Sequence, residues 1–310
     1  MKILVTGITG AIGGSLAPRL LAEGHEVRGL SRRQQPLTAA TSASEIEVMQ
    51  GDAITGLGLR AALQDVDVAY YLIHSMEPVA EGRLHARESV AADNFARATV
   101  RAGVGRVVYL GGLVPAPTVS ASPHLDSRLN VERILTQAVP NSVALRASIV
   151  IGARSRAFRF LVRLVERMPV LLIPAWREYR TAPADERDVI ECLLRAADDQ
   201  ALSGRSLDIA GPEVISYGDL IKRIRDLMMV ERPVLNLPGI TMTPIASRIS
   251  ALIASEQHAL MGPLMAGLAS DLLPREPLAT EVLSLRRHSL DAAIEHALAS
   301  WEQTEPLRAR

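Results

Sequence analysis

Residues 6–14 read TGITGAIGG, and the fold follows from how this nonapeptide is placed in the chain. It comes directly after the β-branched run KILVT at residues 2–6 and opens an amphipathic stretch from Ala11 to Glu23. Three glycines then have separate physical tasks. Gly7 permits a tight turn from strand to helix, Gly10 lets backbone approach a pyrophosphate, and Gly13 lets the helix pack close to the strand. Phosphates bound there would meet backbone N–H groups at the positive end of a helix dipole. A glycine pattern alone says little, but a strand before it, a helix after it and further alternation downstream make it a dinucleotide-binding signature.

That alternation runs through the first half. HEVRGL, IEVMQ, VDVAYYLI, RVVYLG and SVALRASIV are strand-like, and Leu84 to Ala102 and Leu125 to Gln137 carry helical periodicity between them. Strands joined by helices predict right-handed crossovers and a parallel sheet covered on both faces. The expected architecture is α/β, a Rossmann-type doubly wound parallel sheet with a smaller C-terminal substrate lobe. We place the NAD(P)-binding core at residues 1–152 and a smaller, mostly helical lobe at 153–310. Prolines 169, 174 and 183 punctuate that lobe, helices are expected at Glu186 to Ala197 and Tyr217 to Met229, and strands such as SLDIAG return to the core.

Composition narrows the function. With 34 Lys plus Arg against 34 Asp plus Glu, the chain has no net basic field, and no nucleic-acid partner is expected. The apolar region from Leu237 to Leu273 is interrupted by Arg248, Glu256, His258 and Asp271, so no membrane span is expected. The single cysteine, Cys192, and the absence of a leader before the first strand point to a reducing, cytoplasmic compartment. Cys192 itself is expected to be a buried helix residue. No cluster of His, Cys and acidic residues has metal-ligand spacing, so no metal is expected.

The end of the second strand bears on the choice of dinucleotide. NAD sites commonly place a carboxylate there, which binds the ribose hydroxyls and repels a 2′-phosphate. Here the strand ends GLSRR, so Ser31 takes the acidic position and Arg32 and Arg33 follow. The pattern favours NADP over NAD, because guanidinium donors suit a 2′-phosphate. The alternative is that one or both arginines are simply solvated after the strand.

TGITGAIGG, GDAIT, YYLIHSM, VVYLGGL and LRASIVIG together resemble an atypical short-chain dehydrogenase/reductase. More narrowly, VAYYLIHSM, YLGGL and SPHLDSR resemble the YbjT-like and NmrA-like NAD(P)-binding proteins, over roughly residues 1 to 230. The resemblance implies a Rossmann fold and a set of cofactor contacts. Thr6, Gly7, Thr9, Gly10, Ala11, Ile12 and Gly13 would surround the pyrophosphate, and Arg32 would face the 2′-phosphate. Asp52 and Ala53 would lie near the adenine, although Asp52 can equally be a turn or capping residue. Leu72, Ile73 and His74 would lie near the ribose and nicotinamide, and Ser148, Ile149, Val150 and Ile151 near the carboxamide.

The same resemblance exposes a departure in the catalytic set. Where the wider superfamily carries Tyr and, four residues later, Lys, residues 122–128 read SPHLDSR. His124 stands for the Tyr and Arg128 for the Lys, while Gly111 or Gly112 stands for the upstream Ser. Arg128 keeps a positive charge for the ribose hydroxyls, but its pKa is too high for proton relay. His124 could exchange a proton as a near-neutral imidazole, or it could be a capping or packing residue at a helix start. His74, with Ser75, forms a second polar pair at the expected nicotinamide ribose. Tyr71 and Tyr109 are expected to pack in the sheet, whereas Tyr179 and Arg180 could reach the cleft. Met242, Met261 and Met265 would suit an apolar ligand pocket, or a core or subunit interface such as a homodimer or protein partner. Two function classes therefore stand: an NADP(H)-dependent oxidoreductase acting on a small apolar carbonyl or quinone-like compound, and a non-catalytic NAD(P)-binding redox sensor or assembly factor.

Overall fold

The computed structural model describes residues 1–32, 46–73, 81–116, 123–173, 175–236 and 270–307, with backbone alone for 81–84, 123–124, 172–173, 175–176 and 236. The elements alternate as the sequence pattern predicts. The first half runs β1 (Lys2–Thr6), α1 (Ala11–Ala22), β2 (Glu26–Ser31), β3 (Glu47–Gln50), α2 (Leu59–Ala62), β4 (Val68–Tyr71), α3 (Glu81–Ala102), β5 (Arg106–Gly112), α4 (Pro123–Ala138) and β6 (Val143–Ala147). Beyond them come β7 (Val150–Ile151), α5 (Arg156–Arg167), β8 (Leu171–Ile173), β9 (Arg180–Thr181), β10 (Ala184–Asp185) and α6 (Glu186–Arg195). The chain continues with β11 (Ser206–Ile209), β12 (Ile215–Ser216), α7 (Tyr217–Leu227), β13 (Val234–Asn236), α8 (Ala279–Val282) and α9 (Leu290–Glu302).

Seven strands form one sheet in the order β11-β6-β5-β4-β1-β2-β3, every neighbouring pair parallel. Because successive strand side chains point to opposite faces, each strand serves two cores. Ile3 and Val5 of β1 face α1 and α6, where Leu16, Leu20, Val189 and Leu193 cover them. Leu4 faces the other way, into a layer with Leu59, Phe95, Val131 and Leu135 from α2, α3 and α4. Polar ties fix these layers. The Tyr70 hydroxyl donates to the Leu193 carbonyl at 2.8 Å, and Arg106 Nη1 donates to the carbonyls of Ala196 and Asp199 at 3.1 Å each, a cation at the C-terminal end of α6.

Among the described residues, the portion beyond β6 has helices joined by short strands. It contains three two-stranded sheets, β10-β7, β12-β9 and β13-β8, around a second core of α5, α7 and α9. The chain also crosses back: α6, β11 and α8 contribute Val189, Leu207 and Ala279 to the main core. Asp208 in β11 accepts from the amides of Arg275 and Glu276 at 2.6 and 2.9 Å, which lays the segment before α8 along the sheet edge. Among the described residues, no helix is long and apolar enough to cross a membrane.

Candidate functional site

The strand order reverses between β1 and β4, and the helices α1 and α3 that follow these two neighbours cover opposite faces of the sheet, the arrangement in which a crevice lies at the C-terminal strand ends. The glycine loop lines it. Gly7 has φ +68°, and a Cβ there would sit 2.7 Å from the Leu72 carbonyl oxygen, so only glycine allows the turn and the approach to β4 together. Gly13 makes the second close approach: its Cβ would lie 2.4 Å from the Gly7 carbonyl oxygen and 2.9 Å from the Ile8 Cα. Ile8 is fully buried below the loop, in space left by Gly29 of β2. Thr9 and Gly10 remain exposed at the tip.

Helix α1 begins at this tip without a side-chain cap and without an acidic residue in its first turn. The Gly10 amide bonds to the Gly7 carbonyl at 2.8 Å and the Gly14 amide to the Gly10 carbonyl at 3.0 Å, which brackets Ala11, Ile12 and Gly13 at the positive end of the helix dipole. Chemically, this is a cradle for an anion. Thr6 serves it from beneath: the side chain is fully buried, its hydroxyl donates to the Tyr70 carbonyl at 2.9 Å and accepts from the Leu72 amide at 3.0 Å. It locks β1 to β4 rather than reaching out of the loop.

The other expected cofactor residues line the same end of the sheet. Ser31 ends β2 half-buried, and Arg32 follows it exposed. Arg33 lies outside the described residues. Asp52 Oδ1 accepts from the Ile54 amide at 2.7 Å, an Asx turn, so the turn-forming alternative describes its carboxylate. Ala53 is buried, and Asn94 Nδ2 holds the carbonyls of Ala53 and Ile54 at 3.0 and 2.8 Å. Leu72 is buried against Gly7, with Ile73 half-buried beside it. The Ser148 hydroxyl donates to the Ala182 carbonyl, and Ile149 accepts from the Ala184 amide at 3.0 Å, leaving Ile149 and Val150 half-buried.

The expected catalytic residues are not brought together among the described side chains. His74 and Ser75 lie outside the described residues, as do the side chain of His124 and the methionines at 242, 261 and 265. Arg128, the expected ribose contact, lies between two helices. Its side chain is 7% exposed and reaches Glu88 Oε1 of α3 at 3.5 Å, while the adjacent Ser127 hydroxyl donates to Glu88 Oε2. The Ser-Arg pair of SPHLDSR therefore ties α4 to α3. The tyrosines fall where the strand pattern puts them. Tyr71 packs edge-on against Phe95 at 5.0 Å, and the Tyr109 hydroxyl donates to the Arg128 carbonyl at 3.2 Å. Burial pushes the Tyr109 phenol up to about 12 and that of Tyr71 higher still, so neither is a ready proton donor. Arg180 is bidentate to Asp271, with Nε at 3.0 Å and Nη2 at 2.7 Å from Oδ2. Cys192 is buried, and its thiol is pushed up to about 12 by desolvation. Among the described residues, no group of three His, Cys, Asp or Glu could hold a metal ion.

Three residues at the glycine loop escaped the sequence reading. Arg154 Nη2 donates to the Thr9 carbonyl at 3.3 Å, and Ser15 Oγ donates to Glu186 Oε1 at 2.6 Å. Burial raises the pKa of the Glu186 carboxyl, against lowering contributions from Ser15 and Arg154. Arg154, which follows β7, and Glu186, which opens α6, come from segments distant in sequence from the loop, and no local spacing signals their approach to it.

Comparison with known proteins bears on the same region. The model of the NmrA-like family matches residues 1–221. An uncharacterized protein of Mycobacterium tuberculosis is 27% identical over 237 residues, covering 76% of this chain and 25% of that protein. The chain thus spans about a quarter of the length of these first curated relatives. A (4-alkanoyl-5-oxo-2,5-dihydrofuran-3-yl)methyl phosphate reductase of Streptomyces griseus is 27% identical over 215 residues, 69% of each chain. Among solved structures, a UDP-glucuronic acid 4-epimerase from Bacillus cereus in complex with UDP-glucuronic acid and NAD is similar at a TM-score of 0.75 and 18% identity, covering 98% of this chain and 100% of that one. At that identity the likeness is one of fold.

Proposed function

This chain belongs to the NmrA-like family, and from that premise we propose that it binds NADP(H) and reduces a small apolar carbonyl or quinone-like compound. One observation carries the cofactor part. The uncapped start of α1 meets an exposed glycine tip at the point where the strand order reverses, and β2 ends there on Ser31 with no carboxylate. The N–H groups at the tip would hold a pyrophosphate, with Ser31 and Arg32 at the end of β2 available to the adenosine and the ends of β4 and β6 available to the nicotinamide. NADP is preferred over NAD because Ser31 does not repel a 2′-phosphate and the Arg32 guanidinium attracts one. When bound, the cofactor supplies the hydride. This chain's residues orient it, and His74 and His124 are the proposed proton-transfer groups, with a cytoplasmic compartment in keeping with the buried Cys192 thiol. The named reductase among the relatives supports reduction as the reaction class.

The second reading, a non-catalytic redox sensor or assembly factor, is favoured by Arg128. At the position of the superfamily's Lys stands a guanidinium held by Glu88 inside the α3-α4 interface. Steady-state assays with NADPH and a panel of quinones and aldehydes separate the two. Turnover that disappears in Gly13→Ala supports the enzyme; NADPH binding with no turnover above that variant overturns it in favour of the sensor.

A further inference from the structure

The turn between β7 and α5 brings a cation onto the glycine loop from the side opposite β2. Arg154 is exposed, yet its position is defined by two contacts. Nη2 donates to the Thr9 carbonyl at 3.3 Å, and a Cβ on Gly14 would lie 2.5 Å from Nη1 and 3.3 Å from Cζ. The guanidinium therefore lies across the first turn of α1, and the missing side chain of Gly14 makes the room. The neighbouring backbone is cleared in the same way: a Cβ on Gly152 would come within 1.9 Å of Glu186 Oε2. Glu186 accepts from Ser15 Oγ at 2.6 Å, and the Arg154 charge also favours its carboxylate without forming an ion pair with it within 4 Å among the described contacts.

From this geometry we propose that Arg154 is a further cofactor-binding residue, closing over the glycine loop and pairing with the pyrophosphate. The inference rests on the dinucleotide reading above. An arginine has five N–H donors in a planar fork, and one long bond to a carbonyl leaves most of them for an anion. Backbone amides and the helix dipole supply only about half a charge at the N-terminus. The two phosphates carry two negative charges, and a guanidinium adds a whole positive charge with bidentate geometry. Arg154 acts at the pyrophosphate, which NADPH and NADH share, whereas Arg32 acts at the 2′-phosphate that only NADPH has. The two arginines thus divide affinity and selectivity between them.

Calorimetric titration of the full chain with NADPH and with NADH tests this division. Arg154→Gln is expected to weaken both by the same factor, about 10- to 100-fold for one lost charge-assisted contact, with their ratio unchanged. Arg154→Lys restores part of the loss, since an ammonium keeps the charge but not the fork. The unfolding midpoint without ligand stays at the wild-type value, and the ³¹P resonances of the bound pyrophosphate move in Arg154→Gln while that of the 2′-phosphate does not. Unchanged affinity in Arg154→Gln overturns the proposal. So does a loss that lysine does not restore and that accompanies a lower midpoint without ligand, which would make Arg154 a brace for the loop. If the wild-type chain binds neither nucleotide, the dinucleotide reading itself falls and takes this inference with it.

Discussion

Replacing Gly13 by alanine adds one methyl group at the tightest approach in the glycine loop. The new Cβ would stand 2.4 Å from the Gly7 carbonyl oxygen and 2.9 Å from the Gly7 carbonyl carbon, all backbone atoms that no rotamer change can move. Ordinary contact needs about 3.5 Å, so the loop must shift by roughly 1 Å. Overpacking of this kind costs about 1–3 kcal/mol, while alanine in a helix regains about 1 kcal/mol over glycine. The net loss of stability is at most about 2 kcal/mol. Binding suffers more, because a displacement of that size takes N–H groups out of hydrogen-bond range of a phosphate, and each charge-assisted bond lost is about 10- to 100-fold in Kd. Gly24→Ala is the matched control. Gly24 has φ +81°, and nothing lies within 4 Å of where its new methyl group would stand, so the alanine costs about 1–2 kcal/mol of backbone strain and leaves binding alone. Paired measurements of NADPH affinity and urea unfolding on the two variants should therefore separate. Wild-type affinity in Gly13→Ala would refute the packing argument.

Other consequences are smaller but as definite. Tyr70→Phe removes the 2.8 Å donor to the Leu193 carbonyl, which keeps the Ala196 amide at 3.1 Å, and should lower stability by about 0.5–1.5 kcal/mol in denaturant unfolding with NADPH affinity unchanged. Arg128→Met leaves the Glu88 carboxylate buried without its ion-pair partner and is expected to cost about 3–5 kcal/mol, whereas a purely ribose-binding Arg128 would lose affinity with no loss of stability. Alkaline pH should destabilise the fold. Tyr109, Tyr217 and Cys192 are each pushed up to about 12 by burial, so the folded chain keeps protons that the unfolded chain releases. Their contribution is intact below about pH 9 and falls as pH rises toward 12, by up to about 1.4 kcal/mol per group per pH unit. Unfolding curves between pH 8 and 10.5 that superimpose would contradict that burial.

The sheet was legible because its strands are local: KILVT, VDVAYYLI and RVVYLG are bounded by turn residues, and the observed β1, β4 and β5 fall within or one residue beyond them. Helix α5 was not. Its inner face carries Arg163 and Glu166, which pair with each other inside the protein while Arg163 also lies over the Trp301 ring at 4.9 Å. Buried charges break the apolar periodicity on which a sequence reading depends. The short pairs β9-β12 and β8-β13 escaped for a related reason, since two- and three-residue strands are set by contacts far along the chain. In the site, Gly7 and Gly13 were readable because their roles are steric and local. The Arg128-Glu88 pair and the position of Arg154 depend on which helix or turn ends up opposite, and no spacing within one segment encodes that.

Direct titration of the purified chain with NADPH and NADH tests the central claim most simply. The account predicts saturable binding of both, with NADPH at least about tenfold tighter and that preference lost in Arg32→Ala, equivalent to about 1.4 kcal/mol from one phosphate contact. No binding of either nucleotide by the folded protein would contradict the claim outright.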